Sequence, residues 1–151
     1  MANTLKVITA SASDTNGTGA DLAANTDHNL YTVSGTVSAA IIVGFHVCNI
    51  LTNTIKITVT ISSDTGSNSS AFGGGTNKDA FLVKNVPIPE GSTIELLSGN
   101  KIFLEDTDII KIQSDTAASF NCVLSLFLSH KSSASQNAIK FPFETPLKFK
   151  I

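Results

Sequence analysis

Apolar and polar side chains alternate with a period of two residues along most of this chain, and that period excludes a helical body. The clearest case sets Ile55, Ile57, Val59 and Ile61 against Lys56, Thr58 and Thr60. In an extended strand successive side chains point to opposite faces, so the first set is expected to face a core and the second water. Phe120, Cys122, Leu124, Leu126 and Leu128 repeat the pattern, but Val123 and Phe127 make that strand apolar on both faces near its centre. Residues 40–51 are also two-sided, with His46 and Cys48 sharing one face and Phe45 and Val47 the other. A strand apolar on both faces is central in a sandwich or sits at a subunit contact.

Strand patterns are expected over residues 5–9, 30–33, 40–51, 54–62, 80–86, 93–97, 101–104, 108–113 and 120–130, with Ser/Gly/Asn-rich punctuation between them. No amphipathic helix competes with them. Short strands spaced in this way point to an all-β chain, an antiparallel β-sandwich of jelly-roll type. The expected organisation is an N-terminal strand and polar loop over 1–29, a sandwich core over 30–131, and a Ser-rich linker and C-terminal arm over 132–151. Two long polar loops, residues 14–29 and 64–79, the second carrying Gly73, Gly74 and Gly75, are places to look for partner contacts.

The arm is the second strong signal. Its odd positions are Ile139, Phe141, Phe143, Thr145, Leu147, Phe149 and Ile151, and its even positions are Lys140, Pro142, Glu144, Pro146, Lys148 and Lys150. Both prolines fall on the polar side, which forbids a helix and suits an edge strand or an arm lying on a surface. Burial of such a face at ~1.5–3 kcal/mol per large side chain would fasten the arm to its own body or to a neighbour. Ile139, Phe141, Phe143, Leu147, Phe149 and Ile151 are therefore the candidate interaction residues.

Composition narrows the function classes. The 151 residues fit one body plus the arm, and all 10 cations are lysine within a net charge of -2. A nucleic-acid binder would carry a basic excess and arginine forks for phosphate, so DNA and RNA are not expected partners. No apolar run is long enough for a spanning helix, and Met1-Ala2-Asn3-Thr4 opens no secretory signal, so the expectation is synthesis in the cytoplasm with no membrane partner. Cys48 and Cys122 both sit in apolar strand patterns. Reduced, buried thiols are one reading, and a cross-sheet disulfide of the immunoglobulin kind is the other, although tryptophan is absent and Phe120 stands where a corner tyrosine belongs.

Candidate chemistry is thin. A nucleophilic site needs a Ser or Cys beside a His that a carboxylate orients, and no such triad or nucleophile elbow is present; His46 and Cys48 merely share a strand face. Glu105, Asp106 and Asp108, and Asp14, Asn16 and Asp21, form oxygen-rich turns without the spaced glutamate of a calcium loop, and His28, His46 and His130 have no zinc spacing. Gly73 to Gly75 lack the Lys-Ser/Thr of a phosphate loop. No catalytic residue, cofactor or metal is assigned, and an enzyme is not expected.

Four stretches together resemble small β-sandwich virion structural proteins of tailed bacteriophages. They are Leu30-Tyr31-Thr32-Val33-Ser34-Gly35, Val47-Cys48-Asn49, Val86-Pro87-Ile88-Pro89-Glu90-Gly91-Ser92-Thr93-Ile94-Glu95-Leu96, and Ile102-Phe103-Leu104-Glu105-Asp106-Thr107-Asp108-Ile109-Ile110-Lys111-Ile112. Taken alone, Pro89-Glu90-Gly91 is a turn before Ile94, and Glu105 to Asp108 is a hairpin reversal into the next strand. Thr107 stands where these proteins usually have glycine. The resemblance covers residues 30 to 130 and leaves out the arm. It implies a capsid decoration or cement protein on the virion surface, acting as a homo-oligomer, by analogy a trimer, on the major capsid protein or other virion proteins. A neck or tail adaptor is the alternative within that class. A carbohydrate-binding adhesin is the alternative outside it, disfavoured by a single tyrosine, Tyr31, and no tryptophan.

Overall fold

The computed structural model describes residues 3–12, 22–63 and 79–131. Among these residues nine strands run in order β1 (Asn3–Ser11), β2 (His28–Thr32), β3 (Val37–Asn49), β4 (Ile55–Ser62), β5 (Asp79–Ile88), β6 (Thr93–Glu95), β7 (Ile102–Glu105), β8 (Ile109–Ser114) and β9 (Phe120–His130). Every expected strand is present, with ends shifted by a few residues.

The strands form two antiparallel sheets. One has the order β1-β9-β3-β6, with β7 also on β3, and the other has the order β2-β8-β4-β5. Chain connections cross repeatedly from sheet to sheet, and the order in each is that of a jelly-roll sandwich, with the fourth strand of the first sheet divided between β6 and β7. Between the sheets lie Ile42, Phe45, Val47, Ile55, Ile57, Val59, Leu104, Ile110, Ile112, Phe120, Leu124 and Leu126, all essentially without solvent contact. The alternation read from β4 and β9 places its apolar members there.

Two expectations change in the structure. Thr58 and Thr60 are buried although they face away from the core. Strand β4 is flanked by β8 and β5, and Thr60 sits between Lys111 and Phe81 across the two ladders. The Thr58 hydroxyl meanwhile accepts from the Asn85 amide (3.1 Å) and donates to the Asn85 side-chain oxygen (3.3 Å), so neighbouring side chains close over this face. The second change concerns the turn from Glu105 to Asp108. It is no hairpin, because β7 belongs to one sheet and β8 to the other. It is a tight arch, held by Asp108 N to Glu105 O (3.2 Å), Glu105 N to Asp108 Oδ2 (2.8 Å) and Thr107 N to Val33 O (2.8 Å). Thr107 has a φ of 77°, a left-handed geometry that a β-branched residue rarely adopts.

The two-sided character of β3 has a geometric origin. Ala40 and Ile42 face the core, then the register against β9 shifts between Ile42 and Gly44, and from there Phe45, Val47 and Asn49 face it. A bulge inserts one residue and inverts the parity, so apolar residues at both even and odd positions serve one core. At the end of β3, Asn49 binds three carbonyls through its side-chain nitrogen, those of Asn53 (2.7 Å), Ile88 (2.9 Å) and Pro89 (3.1 Å). Its side-chain oxygen accepts from Leu51 N at 2.9 Å. This ties β3 to the turn between β5 and β6, where Ser92 N reaches Pro89 O (3.2 Å) and Gly91 takes a φ of 62°.

Candidate assembly surface

The outward face of the β1-β9-β3-β7 sheet carries an apolar band. The pairings Leu5 with Phe127, Phe127 with Ile41, and Ile41 with Phe103 align these side chains in one row across four strands. Directly opposite residues in a sheet share a face, so the row is continuous. Leu5 is 76% exposed and Phe103 60%, while Phe127 and Ile41 between them are half-buried. Val7 (63%) and Val43 (43%) widen the band on one side.

Polar rows frame it. Asn3, Ser129, Ala39 and Glu105 align on one flank, and Thr9, Val123, His46 and Glu95 on the other, followed by Ser11, Asn121, Cys48 and Thr93. Among the described residues nothing covers the band. An apolar centre with a polar rim is the composition of a protein contact.

The sequence had marked Val123 and Phe127 as two-sided, and both lie on this face. Leu5, Val7 and Phe103 share it. Their signal was present as uninterrupted apolar triplets or near-triplets, Ile102-Phe103-Leu104 and Leu5 to Ile8, in which both parities are greasy. The candidates Ile139, Phe141, Phe143, Leu147, Phe149 and Ile151 lie outside the described residues, as do Asp14, Asn16, Asp21 and the glycine triplet.

Cys48 and Cys122 are free thiols on adjacent strands of one sheet, Cys48 on the outward face and Cys122 in the core. A cross-sheet disulfide is therefore not the arrangement here. Burial pushes the Cys122 thiol up to about 11. The Cys48 thiol donates to the Asn49 carbonyl at 3.6 Å. The acidic turn is occupied by its own backbone and by Lys131, whose Nζ sits 2.7 Å from Asp106. No group of three or more His, Cys, Asp or Glu is placed to hold a metal among the described residues. His130 and Thr4 side chains meet at 3.1 Å and join the end of β9 to the start of β1.

On the open side of the sandwich, between β1 and β2, lie two shallow grooves of about 600 and 430 Å³. Lys6 Nζ stands 5.6 Å from the centre of the Tyr31 ring there, and partial burial raises the Tyr31 hydroxyl above its ordinary value. The grooves bring together a cation, a phenol and aliphatic walls, and the smaller one also carries Ser34 and the Thr4–His130 pair.

No protein family model matches the sequence, and no curated protein sequence matches it. Among solved structures, Bacillus endospore appendages, described as disulfide-linked pili, align at 12% identity over 86% of this chain and 88% of that one, with a TM-score of 0.37. The infectious bursal disease virus Gx strain aligns at 13% identity over 86% of this chain, with a TM-score of 0.43. The T13 particle of the same virus aligns at 12% identity over 83%, with a TM-score of 0.41. This chain spans 34% of the length of each of those viral chains. These neighbours are proteins of viral particles and of pili; likeness at this level does not bear on what the present chain does.

Proposed function

We propose that this chain is a structural protein of a bacteriophage particle, a decoration or cement subunit that binds the capsid exterior as an oligomer and reinforces it. The observation that carries the reading is the Leu5–Phe127–Ile41–Phe103 row, an apolar surface with no described side chain over it. The motifs in residues 86–96 and 102–112, which resemble tailed-phage virion proteins, supply the setting.

Energetics favour many weak contacts over one strong one. Full burial of a large apolar side chain contributes ~1.5–3 kcal/mol, and the row's members are already partly covered, so one such contact yields several kcal/mol. Association itself costs an estimated 4–15 kcal/mol, so the band alone holds a pair of subunits weakly. On a particle, where each subunit touches several neighbours, weak contacts combine through effective concentration. The test is to assemble particles with and without this protein and compare their resistance to heat and osmotic shock. Particles lacking it should fail first, and equal resistance would remove the cement role.

A further inference from the structure

We infer that the outer edge of β1, which no other described strand pairs with, is the acceptor for residues 139–151 of a second copy of this chain, which add to it as an antiparallel strand with their apolar side chains on the outward face. The inference rests on the assembly reading above and extends that surface at its β1 end with a strand from a second copy.

Strand β1 is the open edge best suited to receive a strand. Its nine residues pair with β9 in unbroken register from Asn3 to Ser11. The other outermost strands are poorer templates: β2 has five residues and a register shift, β5 has shifts and Pro87, and β6 and β7 have three and four residues. Natural edges are blunted by proline, bulges, short length or charges, inward-pointing ones included. Strand β1 has neither proline nor bulge and is nine residues long, so Lys6, whose Nζ stands 5.6 Å from the centre of the Tyr31 ring, is its single blunting device.

Parity decides how the arm sits. Ala12 N donates to Phe120 O (2.7 Å), so in the alternating ladder the even residues of β1 turn their backbone groups to β9 and the odd ones, Leu5, Val7 and Thr9, turn theirs to the open side. In the arm, Pro142 and Pro146 strip donors from the even edge, while the odd residues keep every N–H. Only the odd edge can continue a ladder. In an antiparallel pair, residues that exchange hydrogen bonds lie directly opposite and share a face. Pairing the odd edge of the arm with the odd residues of β1 therefore puts Ile139, Phe141, Phe143, Leu147 and Phe149 beside Leu5 and Val7. One register satisfies the backbone and the exposed apolar side chains together.

Reach favours a second copy as donor. Lys131 leaves β9 at the Asn3 end of β1, where its N–H binds Thr36 O at 2.7 Å. From Lys131 to Ile139 a taut chain covers at most about 29 Å. Strand β1 is itself about 26 Å long, so an arm pairing antiparallel along its full length on its own body would need a nearly taut linker, whereas a second copy sets no such demand.

The test places proline on each edge of the arm in the full-length chain and follows self-association by sedimentation velocity. Glu144→Pro extends the edge that already lacks donors and should leave the dissociation constant within about twofold. Thr145→Pro removes a ladder donor and should weaken association about tenfold or more, with the thermal midpoint of both variants unchanged. Equal effects of the two substitutions, or none, would overturn the inference, as would a chain that does not self-associate. Mixing isotopically heavy and light chains and cross-linking Lys6 to Lys140, Lys148 or Lys150 identifies the donor. Heavy-to-light links support a second copy, and links confined to one isotope would refute it. If Phe103→Asp dissociates the oligomer while both prolines are silent, the assembly surface stands and the arm's place on β1 falls.

Discussion

Replacement of Asn49 by Ala should be among the most destabilising single changes in this fold. The side chain is buried, its nitrogen meets three carbonyl oxygens and its oxygen meets Leu51 N. With two hydrogens on that nitrogen, at most two of the three carbonyls are fully served at once, so the change deletes about three hydrogen bonds. Each contributes ~0.5–1.5 kcal/mol net, and a buried group left without a partner costs ~1–3 kcal/mol. Water entering the space left at the sheet end recovers part of this, and about 3 kcal/mol is the expected loss. Against a total stability of ~5–15 kcal/mol that is a large fraction, equivalent to a midpoint about 10 °C lower. Urea unfolding followed by tyrosine fluorescence or circular dichroism measures it. Asn49→Asp should cost more, since a carboxylate would face the carbonyls of Asn53, Ile88 and Pro89. A loss below about 1 kcal/mol for Asn49→Ala would refute the idea that this residue ties β3 to the β5–β6 turn.

Two further outcomes follow from local geometry. Thr107→Gly relieves a β-branched residue at positive φ, a strain of ~1–3 kcal/mol offset by glycine's greater freedom when unfolded, so denaturant titration should show a gain of about 1 kcal/mol. Cys122 releases its proton near 9.0 ordinarily and near about 11 in the fold, so the folded state holds a proton that the unfolded state has lost between those values. Its contribution is whole below pH 9 and falls by about 1.4 kcal/mol per unit as pH rises towards 11. Unfolding free energies at pH 8 and pH 10.5 should therefore differ more in the wild type than in Cys122→Val.

The sandwich was legible because alternation is a local property. Ile55 to Ile61 and Phe120 to Leu128 show their inward faces without reference to any other strand. What depends on neighbours was not legible. The bulge between Ile42 and Gly44 exists only against β9, so the sequence showed a strand greasy on both sides where the structure has one core face with inverted parity. Thr58 and Thr60 look solvated in isolation and are buried because β4 has strands on both sides. The assembly surface was half legible: Val123 and Phe127 stood out within one strand, whereas the row needs Leu5, Ile41 and Phe103 brought beside Phe127 by three separate pairings.

Sedimentation equilibrium of the wild-type chain beside Phe103→Asp tests the central claim most directly, because Phe103 is 60% exposed and contributes little to the folded monomer. The wild type should reach a multiple of 15.8 kDa as concentration rises, and Phe103→Asp should need about tenfold or more protein to do so, with an unchanged unfolding midpoint. A wild type that stays at 15.8 kDa up to about 1 mM, or a variant that associates as well as the wild type, would contradict the assignment of this face to assembly.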